Sequence, residues 1–241
     1  FFFIDLIQST VDGLLFGTTY ALIGIGFTLI FGVMRKLNLA YGAAALAGTY
    51  IGLVMFLTFD AHPAIVFLAS AIGSGLIGLV VYLCCFRFTP ENYPMASLLA
   101  SVGMLLFIDE VVIHASHGLP YPYPSVFRDA IIEIGDVWVR GDLLFVFFMC
   151  VVAMGILFWL LYRTPLGLAT RAVSQQPRAA QLCGIDVTRV NMMTFGIAGV
   201  LGGIAGAMTA AAVGVLSPVI AMGLTVKGLI VVVIGGLGFI P

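Results

Sequence analysis

The sequence predicts an all-α polytopic membrane protein, with about six full transmembrane helices and one re-entrant or half-helix segment. Three observations predict it. Hydrophobic residues make up 62% of the 241, charged residues only 9%, and mean hydropathy is +1.19. A soluble domain carries about a quarter charged residues, so this chain cannot solvate a surface of its own size. The apolar residues also fall in runs long enough to cross ~30 Å of hydrocarbon, and the charges collect in the junctions between them.

The first run, Val11 to Val33, reaches ~35 Å at about 1.5 Å per residue and stops at Arg35-Lys36. The second, Leu37 to Phe59, ends at Asp60-Ala-His-Pro63. The third, Ala64 to Phe86, stops at Arg87, and the turn Thr89-Pro-Glu-Asn-Tyr-Pro94 leads into the fourth, Met95 to Ile113. A mixed loop, 114–142, contains Gly118-Leu-Pro-Tyr-Pro-Tyr-Pro124. The fifth run, Leu143 to Tyr162, ends at Arg163. A polar segment, 164–194, precedes a glycine-rich sixth run, Phe195 to Leu216. Ser217-Pro218 then interrupts the pattern. The last stretch, Val219 to Ile240, carries Lys227 inside it, which predicts a half-helix or re-entrant element. The whole, 1–241, reads as one transmembrane domain. The absence of an initial methionine and the stop at Pro241 lead to the expectation that both ends are trimmed and that further helices follow.

Alternating the runs puts Arg35, Lys36, Arg87, Arg163, Arg171, Arg178 and Arg189 on one side and only Arg128 and Arg140 on the other. The positive-inside rule makes the first side cytoplasmic. The amino terminus is then periplasmic, 114–142 a periplasmic loop and 164–194 a cytoplasmic one. Gly13/Gly17, Gly48/Gly52, Gly199/Gly203 and Gly202/Gly206 sit four apart, on one helix face each, which lets helices approach closely in lipid. The density in the sixth run predicts a tightly packed central helix.

A search for chemistry is empty: the chain has no HExxH, GxSxG or GxxxxGK[ST]. Net charge −1 and the lack of a basic stripe argue against nucleic acid. Cys84, Cys85, Cys150 and Cys183 lack metal-ligand spacing, and His62, His114 and His117 fall at the outer surface. No cofactor or metal is expected on this chain. The ionisable residues within runs are Asp12, Asp109, Glu110 and Lys227, of which only Lys227 is deep.

The most informative segment is Arg171 to Asp186. Pro177 suits the first position of a helix and Gly184 the position just past its end, with Arg178-Ala-Ala-Gln-Leu-Cys183 between them. This predicts a short cytoplasmic helix. It is either an ordinary connector or a docking element for a soluble partner.

That segment resembles the coupling-helix region of permease subunits of branched-chain amino acid ABC importers, the LivH/LivM type that also includes urea and short-chain amide permeases. The resemblance is closest to the LivH half. Asp12 through Gly32 is similar to that family's first helix, and Asn38-Leu-Ala-Tyr-Gly42 with Gly48-Thr-Tyr50 to its second-helix signature. Ser217-Pro218 and Lys227 through Pro241 are similar to its later half-helix and glycine turn. Tyr41 and Ala43 stand where the family usually has histidine and glutamate.

The resemblance implies a bacterial inner-membrane permease subunit for a branched-chain amino acid, urea or short amide. It would pair with an identical or homologous permease, two ATP-binding-cassette subunits holding ATP and Mg, and a periplasmic binding protein. Arg171 and Gln176, Pro177, Arg178, Ala179, Ala180, Gln181, Leu182, Cys183 and Gly184 would carry ATPase coupling. Asn38, Tyr41, Gly42, Tyr50, Ser217 and Pro218 are candidates for the translocation path. The competing readings are a secondary transporter or channel that works without an ATPase, and a non-transporting scaffold.

Overall fold

The computed structural model describes residues 2–60, 62–89, 93–124, 131–134 and 137–236. Six helices among them are long and apolar enough to cross a membrane, and one shorter apolar helix accompanies them. In order these are α1 (Phe2–Met34), α2 (Tyr41–Phe59), α3 (Pro63–Val81, continued by a π-helical turn Tyr82–Phe86), α4 (Pro94–Ser116) and α5 (Gly141–Arg163). Two polar-segment helices follow, α6 (Pro165–Gln175) and α7 (Pro177–Leu182), then α8 (Val187–Val213) and α9 (Ile220–Gly235). The chain is an all-α polytopic membrane protein.

Several boundaries differ from the sequence expectation, each for a local reason. The second helix starts at Tyr41 rather than Leu37, because Asn38 Oδ1 accepts the Ala40 amide at 3.1 Å, an Asx-type turn that competes with helix. The sixth span starts at Val187, eight residues before Phe195, because the Asp186 carboxylate accepts from Thr188 and Arg189 amides at 3.0 and 3.2 Å. The loop 114–142 holds short strands that periodicity did not reveal. β1 (Tyr121–Pro122) pairs antiparallel with β4 (Val215–Leu216), and β2 (Ile131–Ile134) with β3 (Val137–Arg140). At 16 residues α9 spans ~24 Å, short of the ~30 Å core, as a half-helix should. The end of the expected Val219–Ile240 stretch and of the Gly235–Pro241 motif lies outside the described residues.

The core is built on α8, which packs against α1, α2 and α3, while α2 packs against α3. Glycine permits this. A Cβ added to Gly199 would fall 2.7 Å from the Ser74 carbonyl and 2.9 Å from Gly75 Cα, so α3 and α8 meet backbone to backbone. Near the basic end Phe195 stacks among Tyr82 and Phe86, ring centroids 5.2 and 4.9 Å apart. The half-helix α9 lies against α1 and α2.

Candidate functional site

At the basic end, α6 and α7 join α5 to α8. Thr164 caps α6, accepting the Gly167 amide at 3.3 Å, and Pro165 and Pro177 open the two helices. The α7 segment ends at Gly184, whose φ of +83° turns the chain toward α8. Its faces differ sharply. Arg178, Ala179, Gln181, Leu182, Cys183 and Gly184 are exposed, and Leu182 is 90% so. Ala180 is buried and packs with Val33 of α1, Val173 of α6 and Val190 of α8. Gln176 is exposed, and Pro177 half-buried. Arg171 points elsewhere, its guanidinium lying 5.1 Å from the Tyr162 ring of α5.

The Asn38 group lies deep in the bundle. Tyr41 is buried; its hydroxyl donates to the Ala198 carbonyl of α8 at 3.0 Å and its ring meets Phe27 edge-on at 4.7 Å. Both contacts are far from the ends of α1 and α8, so α2 begins well inside the bundle. Residues 35–40 therefore climb back into it without being helical. Backbone groups in such a stretch need partners at membrane depth. Asn38 supplies one and Ser101 Oγ of α4 another, accepting the Leu39 amide at 3.3 Å. Gly42 meets α9, where an added Cβ would lie 2.9 Å from Thr225 Cβ. Tyr50 is half-buried beside Ser116 and Tyr121, at the other end.

That opposite end is closed by the β1–β4 ladder, which ties the 117–124 loop to the α8–α9 turn. Gly214 ends α8 with φ +80°, and its carbonyl accepts the Tyr123 amide at 3.1 Å. Tyr123 is buried with its hydroxyl 3.2 Å from Ser70 Oγ, and burial pushes that phenol up to about 12, with the Ser70 bond opposing. Ser217 is half-buried and Pro218 buried in the turn. Arg140 pairs with Asp142 and donates to the Ala212 carbonyl at 3.0 Å, anchoring the start of α5 to the end of α8.

Lys227 is exposed on α9 and reaches across to α1. Its Nζ donates to the Tyr20 hydroxyl at 2.9 Å and lies 4.8 Å from that ring's centroid. Leaving a lysine charge at bilayer depth costs at least ~2.5 kcal/mol on insertion scales. Such a side chain faces protein or water rather than lipid.

The model of the family described as branched-chain amino acid transport system / permease component matches residues 9–241. The chain belongs to that family. Among curated relatives, the high-affinity branched-chain amino acid transport system permease protein BraD of Pseudomonas aeruginosa is 27% identical, over 98% of this chain and 80% of its own length. The permease protein LivH of the corresponding Escherichia coli system is 24% identical, over 99% and 82%. The guanosine ABC transporter permease protein NupQ of Bacillus subtilis is 26% identical over 64% of this chain and 50% of its own. No solved structure matches at a significant level.

In this permease the predicted residues fall into three places: α7 at the basic end, the Asn38–Gly42 break inside the bundle, and Tyr50 with Ser217-Pro218 at the opposite end. Arg171 stands apart from all three. Sequence reasoning missed the partners: Tyr20 of Lys227, the Ser70–Tyr123 pair, and the Val33, Val173 and Val190 seat of Ala180. A hydroxyl-bearing aromatic in mid-span was a usable signal for Tyr20. Nothing in the sequence marks three valines among so many.

Proposed function

We propose that this permease is the membrane-spanning subunit of an ATP-driven bacterial importer for a branched-chain amino acid or a related small solute of the urea or short-amide class. It works by alternating access in the inner membrane, with its amino terminus periplasmic. Two ATP-binding-cassette subunits, which bind ATP and Mg and hydrolyse the nucleotide, dock on α7 from the cytoplasm. A second permease, identical or homologous, completes the path, and a periplasmic binding protein delivers solute at the β1–β4 end.

The observation that carries this reading is the two-faced α7. Its exposed face offers Arg178 and Leu182 to a soluble partner. Its single buried residue, Ala180, sits on a cluster that reaches α1, α6 and α8. Motion imposed on α7 thus passes directly to helices that form the core. The non-helical Asn38 stretch supports the transport half of the reading, because irregular backbone at membrane depth is tolerated where it is buried in protein or lines a cavity.

The test is uptake and ATP hydrolysis measured together in the reconstituted importer. Arg178→Glu reverses the charge of the exposed face, and Ala180→Trp cannot fit its seat. Both are expected to lower solute uptake at least tenfold per ATP hydrolysed while the subunit still inserts. Unchanged uptake in both variants would sink the docking assignment and favour a carrier that works without an ATPase.

A further inference from the structure

The proposed function leaves one deep cation unassigned. Lys227 lies seven residues into α9, ~10 Å along it. Tyr20, which holds its ammonium at 2.9 Å, is at the midpoint of the 30-residue span Asp5–Met34. A lysine that snorkels extends toward a membrane surface; this one is directed at the middle of a helix. Among the described residues the ion pairs are Glu110–His114 and Arg140–Asp142, so no carboxylate of those residues neutralises it. Two residues before Lys227, Thr225 packs on Gly42 at the α2 break, so the cation and the unwound segment share one level of α9.

Next to the cation is a place for an apolar group. A groove of about 340 Å³ runs between α1, α5 and α9, lined by Gly24, Thr28, Met154, Phe158, Val231 and Gly235 among others. Gly24 and Thr28 follow Tyr20 at successive intervals of four on α1, and Val231 and Gly235 follow Lys227 likewise on α9. Residues four apart share a helix face. The groove therefore continues the faces that carry the cation and its hydroxyl. Its volume is within the ~300–1,000 Å³ range of small-molecule sites, and its wall is almost wholly apolar.

Resting on the amino-acid reading above, we propose that Lys227 and Tyr20 receive the carboxylate of the transported amino acid while the groove beside them takes its aliphatic side chain. The ammonium and the phenol both donate to the carboxylate, and the counter-charge that Lys227 lacks among the described residues arrives with the solute. No covalent step is involved. The exposure of Lys227 in the single chain places the site on the face where a second permease closes the path.

The test uses the complete importer, with both permeases, both ATPases and the binding protein, in proteoliposomes with labelled L-leucine. Lys227→Met is expected to lower uptake at least 100-fold while the complex still co-purifies. Lys227→Arg, which keeps a cation, is expected to hold uptake within tenfold. A structural lysine would not distinguish solutes, so the same complex in nanodiscs is also challenged with millimolar L-leucine and L-leucinamide. Leucine is expected to raise the Tm of the wild type only, and leucinamide, lacking the carboxylate, to raise neither.

Uptake by Lys227→Met within twofold of wild type overturns the site, as do equal Tm shifts with the two compounds. If Lys227→Met does not assemble, Gly235→Phe decides. A Cβ there meets nothing within 4 Å, so the ring fills the groove, and more than a tenfold loss of uptake is expected; normal uptake overturns the site. A wild-type importer that carries only solutes without a carboxylate overturns the amino-acid reading and this site together. Wild-type leucine uptake with an indifferent Lys227 overturns the site alone.

Discussion

Helices α5 and α8 are both spans of this bundle, yet they solve opposite problems. The more apolar is α5, with mean hydropathy 2.8 in its best window against 1.7 for α8. In a soluble protein that order would put α5 in the core. Here 28% of the α5 window is buried in the protein against 72% of the α8 window. Lipid tails are as apolar as leucine, so apolar character alone does not drive one helix onto another. Association depends on close packing, and α8 carries Gly196, Gly199, Gly202, Gly203 and Gly206 where α5, past its first residue Gly141, carries Gly155, whose added Cβ would meet nothing. Phe148, Ile156 and Trp159 of α5 stay exposed, as side chains that meet lipid. Within this bundle, hydropathy marks the lipid face and glycine marks the core.

The strongest challenge to that contrast is Gly199→Leu. The added side chain must displace the backbone of α3 rather than a mobile neighbour, so destabilisation beyond the ~1–3 kcal/mol of ordinary overpacking is expected. The expected outcome is loss of a monodisperse peak in detergent gel filtration; a stable, monodisperse variant would break the comparison. A smaller effect is expected of Tyr41→Phe, which removes the hydroxyl bonded to Ala198 but keeps the ring against Phe27. Inter-helix hydrogen bonds in membranes average ~0.6 kcal/mol, so thermal unfolding should shift by a few degrees at most. The smallest effect belongs to Gly155→Leu in α5. Open space at that position predicts a change within ~0.5 kcal/mol, measured by the same thermal unfolding. A loss comparable to that of Gly199→Leu would show that α5 is covered in the assembled protein.

The candidate site divides along similar lines. The short helix α7 was legible because proline and glycine act locally: Pro177 starts it and Gly184 ends it without help from the rest of the chain. Asn38 was singled out through the family resemblance, but the apolar run from Leu37 hid the break that its short-range turn makes before Tyr41. The partners were not legible. Tyr20 and Lys227 are 207 positions apart, and no pattern in either helix announces the other. The β1–β4 ladder was invisible for the same reason, being two residues long and made between distant turns. The early start of α8 was a milder case. Asp186 is a recognisable cap, but Thr188, Arg189 and Asn191 after it made the segment read as polar.

By itself the sequence determined the class of the protein, the number of spans within these 241 residues and the special nature of the α9 stretch. Each of these rests on runs of apolar residues whose length is compared with a bilayer of known thickness, and such a comparison needs no knowledge of neighbours. It also determined where α7 lies, through residues whose backbone preferences are local. Only the tertiary structure decided which residue seats α7, and that Lys227 is held at mid-span rather than reaching for an interface. Those outcomes depend on shape between elements far apart in the chain, and in a medium where every span is apolar, composition cannot rank one contact above another.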